Sequence, residues 1–214
     1  MRVELVDTLG TDLTVVNAAR VSFNKEHSQF EDSDEKLIRY LAQHGHWTPF
    51  GHPQLQFRIS SPIFVARQLV KHQIGLVWNE VSRRYVDYEP ELYVVPQGQW
   101  RGKPVNAKQG STGFINISTF DDANINRLND FAKELYQSLL DQGVAPEQAR
   151  MVLPLSTYTE WYWTGSLAAF ARVCNLRLAP EAQEETQEIA RQIAQHCARI
   201  FPVSWKYLVQ YKED

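Results

Sequence analysis

Cysteine is scarce in this chain. Cys174 and Cys197 are the only two among 214 residues, too few for a disulfide framework, so the expected setting is a reducing one, the cytoplasm. Long apolar runs are missing as well. No uncharged apolar segment is long enough to span a bilayer, and Met1-Arg2-Val3-Glu4-Leu5 has no apolar signal core. A soluble intracellular protein with no membrane partner is expected. A basic excess is lacking: 22 Lys and Arg against 25 Asp and Glu give a formal net charge of -3, which argues against a nucleic-acid partner.

Two glycine motifs are also absent. No Gly-x-Gly-x-x-Gly follows a strand, and no Gly-x-x-x-x-Gly-Lys-Ser/Thr loop occurs. Neither a Rossmann crossover nor a P-loop is therefore supported, and a bound nucleotide must be held by side chains and helix ends. No linker rich in Pro, Gly or Ser and no internal repeat divides the sequence, so residues 1–214 form one expected domain.

Among what is there, six Trp, nine Tyr and ten Phe supply a core and rings for stacking. Val3, Leu5 and Val6 suggest a short strand. Asp12 to Ala19 reads as a helix with Thr11 as N-cap. Ser33-Asp34-Glu35 opens a second helix with Leu37, Tyr40 and Leu41 on one face, ended by Gly45. Leu55, Phe57 and Ile59 alternate with polar residues as in a half-buried strand. Ser61-Pro62 then starts a helix expected to carry Arg67, Gln68, Lys71 and His72, the pairs Arg67/Lys71 and Gln68/His72 being four apart. Residues 89–113, rich in Pro, Gly, Gln and Lys, read as an irregular loop. Ile125, Leu128, Phe131, Ala132, Leu135 and Leu139 mark an amphipathic helix ending near Gly143. Further helices are expected from Pro146, across Ser166 to Leu176, and from Pro180 to Ile200. Helix outweighs strand without alternating with it, so the class is α+β: helices around a small, mostly antiparallel sheet.

Chemistry concentrates in Arg67-Gln68-Leu69-Val70-Lys71-His72-Gln73 and Asn79-Glu80-Val81-Ser82-Arg83-Arg84-Tyr85. Arginine offers a planar fork to phosphate, and amides can read a pyrimidine edge with a donor and an acceptor together. Arg150, Arg172 and Arg177 add cations inside apolar helical stretches, where an anionic ligand can partner them. A solvated basic face is the plainer alternative. His44, His46 and His52 read as turn residues, buried hydrogen-bonders, ligand contacts or metal ligands. Cys174 sits in an apolar helical setting that suits an inert thiol. Ser82 lacks an evident activating base, which favours phosphate binding over nucleophilic attack.

Several segments in order resemble one family. Ala18-Ala19-Arg20-Val21-Ser22, His44-Gly45-His46-Trp47-Thr48-Pro49-Phe50 with His52, and Pro62 through Gln68 come first. Asn79 through Tyr85, Arg150-Met151-Val152-Leu153-Pro154 and Asn175-Leu176-Arg177 complete the set. The chain is similar over nearly its whole length to the flavin-dependent thymidylate synthases. That resemblance implies a non-Rossmann α+β fold and methylation of dUMP to dTMP at C5. It implies methylenetetrahydrofolate as carbon donor, NADPH as reductant, bound FAD, and a homotetramer with active sites shared between subunits. It puts Gln68, Glu80, Ser82, Arg83, Arg84, Arg150 and Arg177 at dUMP, and Ser22, His46, Lys71, His72, Gln73 and Glu80 at FAD. Arg172, standing where the family often has Asn, is expected at FAD as a compensating cation. Arg177, Ser82 and His46 are the implied catalytic residues. Arg177 against the uracil carbonyl and N3 would stabilise charge on the ring, without an enzyme nucleophile. Lys71-His72-Gln73 replaces the family's usual Arg-His-Arg, and the stretch from Ile74 to Val81 is one residue longer than usual. A related enzyme adding another one-carbon group, such as hydroxymethyl, and a nucleotide-binding homologue without catalysis are the alternatives.

Overall fold

The alternation at Leu55, Phe57 and Ile59 decides the centre of the molecule. In the computed structural model, which describes residues 1–105 and 109–210, all three are buried at 0–1% exposure. In chain order the elements are β1 (Arg2–Leu9), α1 (Asp12–Arg20), α2 (Asp32–Gln43), β2 (Gln54–Pro62), α3 (Ile63–Leu69), β3 (Leu76–Glu80), β4 (Trp100–Arg101), β5 (Phe114–Ile115), α4 (Thr119–Asp141), α5 (Pro146–Ala149), β6 (Tyr158–Ser166), α6 (Leu167–Arg177), α7 (Glu184–Ile200) and α8 (Pro202–Leu208). Four strands form one sheet in the order β1-β2-β6-β3, every described pairing antiparallel. The α+β class read from the sequence is what the chain adopts. Among the described residues, no helix is long and apolar enough to cross a membrane.

The core lies between this sheet and helices α1, α2, α3, α6, α7 and α8. Phe57 meets Phe170 edge to face at 5.0 Å, Trp163 meets Phe170 at 5.4 Å, and Trp78 stacks on Trp161 at 4.2 Å. Such geometries suit the quadrupoles of the rings. Both cysteines lie in this core at 0% exposure. Asp34, fully buried at the start of α2, accepts from Arg20 at 2.8 Å, from His27 at 3.0 Å and from the Glu31 N–H at 3.0 Å. This ties down the segment after α1 that carries Ser22.

Some expectations require correction. The helix from Pro62 ends at Leu69, so Lys71 and His72 lie beyond it and share no helix face with Arg67 and Gln68. The His72 N–H closes a turn onto the Leu69 carbonyl, and Gly75, at φ +75°, turns the chain into β3. Pairing of β3 with β6 thus overrides helical spacing. In α2, Tyr40 is 52% exposed, and the buried positions are Asp34, Ile38 and Leu41. In α4 the helix is as expected, but Leu128 and Phe131 are 62% and 61% exposed while Asn129, Ala132 and Tyr136 face inward. The last long helix starts at Glu184, not at Pro180. The stretch 89–113 is irregular apart from β4 and a single bridge at Leu92, with residues 106–108 outside the described set.

Candidate active site

A cavity of about 820 Å³ opens between α3, the Tyr93–Arg101 stretch, α4 and the α6–α7 junction. Phe64, Tyr93 and Trp100 provide apolar and aromatic wall, while Gln68, Arg177, Gln183 and Glu185 bring polar groups to it. The size suits a nucleotide-scale ligand. Gln68 arrives on the last turn of α3 and Arg177 on the last turn of α6, so two helix ends deliver the groups that were 109 positions apart in sequence.

Arg177 is half-buried and finds neutral partners. Its Nε donates to His72 Nε2 at 2.9 Å and its Nη2 to the Gln68 carbonyl at 3.4 Å. His72 is held uncharged, because burial first, and the cations of Arg177 and Arg172 next, push its pKa down to about 4. A neutral imidazole accepting at Nε2 carries its proton on Nδ1. Burial likewise lowers the Arg177 pKa from its ordinary value. The cation thus reaches the cavity oriented but not neutralised. No described carboxylate pairs with it.

A second cleft has a volume of about 120 Å³. Glu80, Arg83 and Arg150 line it with Thr159. Thr159 donates to Glu80 Oε1 at 2.6 Å and Trp78 Nε1 to Oε2 at 3.2 Å. Arg83 donates to the Tyr88 carbonyl at 2.9 Å and lies over the Tyr88 ring, 4.8 Å from its centre. Arg84 and Ser82 are close by in sequence, with Ser82 Oγ accepting from Arg84 Nε at 3.2 Å and from its backbone N–H at 3.3 Å. Neighbouring residues diverge between the two clefts: Phe64 and Ser156 face the large one, Ile63 and Thr157 the small one. The chain therefore splits residues expected at dUMP into two groups, Gln68 with Arg177 and Glu80 with Arg83 and Arg150.

The residues expected at FAD are more dispersed. Lys71 and Gln73 are exposed in the turn after α3. Arg172, on α6, donates to the Ile74 carbonyl in the same turn. His46 is exposed beside Tyr40, ring centres 6.0 Å apart, and Ser22 is exposed in a short 3-10 segment. The Thr48–Gly51 turn after His46 packs on α6, as does Gly75, with Ala169 and Ser166 against it. His72 is engaged with Arg177 instead, and Glu80 lines the small cleft. Cys174 and Cys197 are buried, and burial pushes both thiols up, away from the nucleophilic thiolate.

The sequence reading missed Tyr93, Arg101, Gln183 and Glu185 on the cavity wall. Glu185 had one readable signal: it falls four and eight positions before Ile189 and Ile193, on the buried stripe of α7. A carboxylate on such a stripe needs partners.

The chain is similar to known proteins in sequence and fold. The family model for thymidylate synthase complementing protein (Thy1) matches residues 4–203. A flavin-dependent thymidylate synthase of Thermotoga neapolitana is 38% identical over 212 residues, which cover 98% of this chain and 91% of that protein. One from Thermus thermophilus is 40% identical over 203 residues, 95% of this chain and 73% of the relative. Among solved structures, the UMP/dUMP methylase PolB of Streptomyces cacaoi, bound with 5-Br dUMP, superposes with a TM-score of 0.84 at 34% identity, covering 98% of this chain and 97% of PolB. The same enzyme bound with 5-Br UMP gives a TM-score of 0.82, covering 96% and 92%. With a family model spanning most of its length and relatives this similar over nearly all of it, the chain belongs to the flavin-dependent thymidylate synthases, a family of methyl-transferring enzymes.

Proposed function

We propose that this protein methylates dUMP at C5 to give dTMP in the cytoplasm, with methylenetetrahydrofolate as carbon donor, NADPH as reductant and FAD as bound cofactor. Family membership and the likeness to a methylase solved with a dUMP analogue support the reading. The observation in this chain that carries it is the Arg177 guanidinium on the wall of the large cavity, held by a neutral His72 and by the Gln68 carbonyl. A uracil carbonyl set against Arg177 would place the developing negative charge of the ring beside a preorganised cation. Because His72 accepts without carrying charge, it fixes the guanidinium and leaves its charge for the substrate. Arg83, Arg84, Arg150 and Ser82 have the chemistry to receive the phosphate.

The turn after α3 has the groups to take FAD. Lys71 and Gln73 are exposed in that turn and Arg172 bonds its Ile74 carbonyl, so two cations and an amide stand at it, and no described carboxylate bonds any of the three. These groups would hold its pyrophosphate, with His46 and Ser22 as further contacts. When bound, the flavin supplies the two-electron chemistry that methyl formation from methylenetetrahydrofolate requires. The two groups of nucleotide-binding residues are completed by neighbouring copies in a homotetramer, where the Arg177 of one protomer faces the Arg150 of another.

Methylation of UMP beside dUMP is a second reading, supported by the likeness to an enzyme solved with analogues of both. Mass analysis of the nucleotide tests both readings, after incubation of dUMP or UMP with the protein, FAD, NADPH and methylenetetrahydrofolate. A methyl gained on dUMP is the expected result. A hydroxymethyl product, or unchanged dUMP with active reagents, would overturn it.

A further inference from the structure

A chain of hydrogen bonds with a fixed direction runs along the wall of the large cavity. It begins at Glu185, only 5% exposed near the start of α7. Its Oε1 accepts from Arg101 Nη2 at 2.6 Å and its Oε2 from Gln183 Nε2 at 2.9 Å. Tyr93 Oη lies 3.5 Å from the same Oε1. Burial alone would raise the pKa of this carboxyl, but the hydrogen bonds from Arg101, its own backbone N–H and Gln183 outweigh it and hold the group below its ordinary value. It is therefore an acceptor only.

That polarity propagates. An ionised Glu185 forces Gln183 to turn its Nε2 toward the carboxylate, which leaves Gln183 Oε1 as an acceptor. Gln68 Nε2 donates to that oxygen. The Gln68 amide is fixed in its turn, and its Oε1, which has no donor among the described residues, is the atom left for a ligand in the cavity. An amide has nearly the same shape in either orientation, so without an anchor its two ends are free to exchange. Beside it, no described acceptor takes the N–H groups of Arg177 Nη1.

We propose that Glu185 and Gln183 are positioning residues that present Gln68 as an acceptor to the N3 position of a pyrimidine, so that the site takes uracil nucleotides and refuses cytosine nucleotides. The inference rests on the reading of the cavity as a pyrimidine-nucleotide site. Uracil carries a hydrogen on N3 and donates it to Gln68 Oε1, while its neighbouring carbonyl accepts from Arg177. Cytosine carries a lone pair on N3, which meets the Gln68 oxygen as acceptor against acceptor. A site built around one polarity rejects the other because buried polar groups are left unpaired.

The test compares the affinities of dUMP and dCMP by calorimetry on the FAD-loaded protein and on two variants, Glu185→Gln and Gln183→Met. Glu185→Gln replaces an obligate acceptor by an amide able to turn either way. Gln183→Met cuts the relay while keeping the Arg101–Glu185 pair. Each is expected to lower the preference for dUMP over dCMP about tenfold, the equivalent of one hydrogen bond. General damage to the cavity would weaken both nucleotides alike and leave their ratio unchanged. An unchanged ratio in both variants overturns the relay. Failure of the unaltered protein to bind either nucleotide would instead overturn the pyrimidine-nucleotide reading, and the relay's assignment with it.

Discussion

Folding moves the His72 pKa from 6.5 down to about 4, chiefly through burial and then through Arg177 and Arg172. Between those values the unfolded chain binds a proton that the folded chain refuses. The contribution to stability is complete above pH 6.5 and is lost progressively as pH falls toward 4. His72→Gln retains an acceptor for Arg177 but does not titrate, so it should flatten thermal unfolding midpoints over that range. An identical pH profile in the variant would show that another group carries the dependence. Sequence placed His72 among the functional residues, yet its partner was beyond reach of the sequence. Arg177 lies 105 positions away, and only packing of α6 against the turn after α3 joins them. For Glu185 the reverse holds: its buried-stripe position was readable, but the identity of Arg101 and Gln183 as its partners was not.

At the scale of elements, β3 and β6 decide where the Asn79–Tyr85 segment goes. Gly165 on β6 faces Leu76 and Gly75 across the strand pair, and a Cβ there would meet the Leu76 side chain and come within 2.7 Å of the Gly75 carbonyl. Backbone cannot yield as a flexible side chain does. Gly165→Ala is expected to cost about 2 kcal/mol in urea unfolding and to lower activity by displacing the strand that carries Glu80. A variant as stable as the unaltered protein would mean that β3 shifts freely. Local signals made α1 legible: Thr11 and Thr14 form a reciprocal capping box within four residues. Helix α8 has Pro202 at its first position but no local side-chain cap; its N–H groups at Val203 and Ser204 are capped by Asp12, 191 positions earlier in the first case. Strand β6 went unread because an aromatic residue, Tyr162, also stands on its more exposed face, blurring the alternation that identifies a half-buried strand.

The whole molecule leaves apolar residues uncovered, among them Leu128 and Phe131 on α4, and it splits the expected dUMP contacts between two clefts. If neighbouring copies complete each site, two different inactive variants can repair one another. Arg177→Ala and Arg150→Ala should each lose activity alone. Unfolded and reassembled together at equal amounts, they should regain roughly a quarter of full activity, half the sites keeping each intact group at random in a closed symmetric oligomer. No recovery in mixed oligomers confirmed by light scattering would place the whole site within one protomer.

Sequence by itself determined the class of fold, the helices with local caps, the central strand β2 and the pool of cations and amides from which the site is drawn. These are matters of periodicity, capping and composition, which act over a few residues. Tertiary structure decided that α3 stops at Leu69, that His72 is neutral and holds Arg177, and that Glu185 sets the direction of the Gln183 and Gln68 amides. Each of those depends on burial and on partners brought together from distant parts of the chain, because only packing removes the water that would otherwise satisfy the same groups.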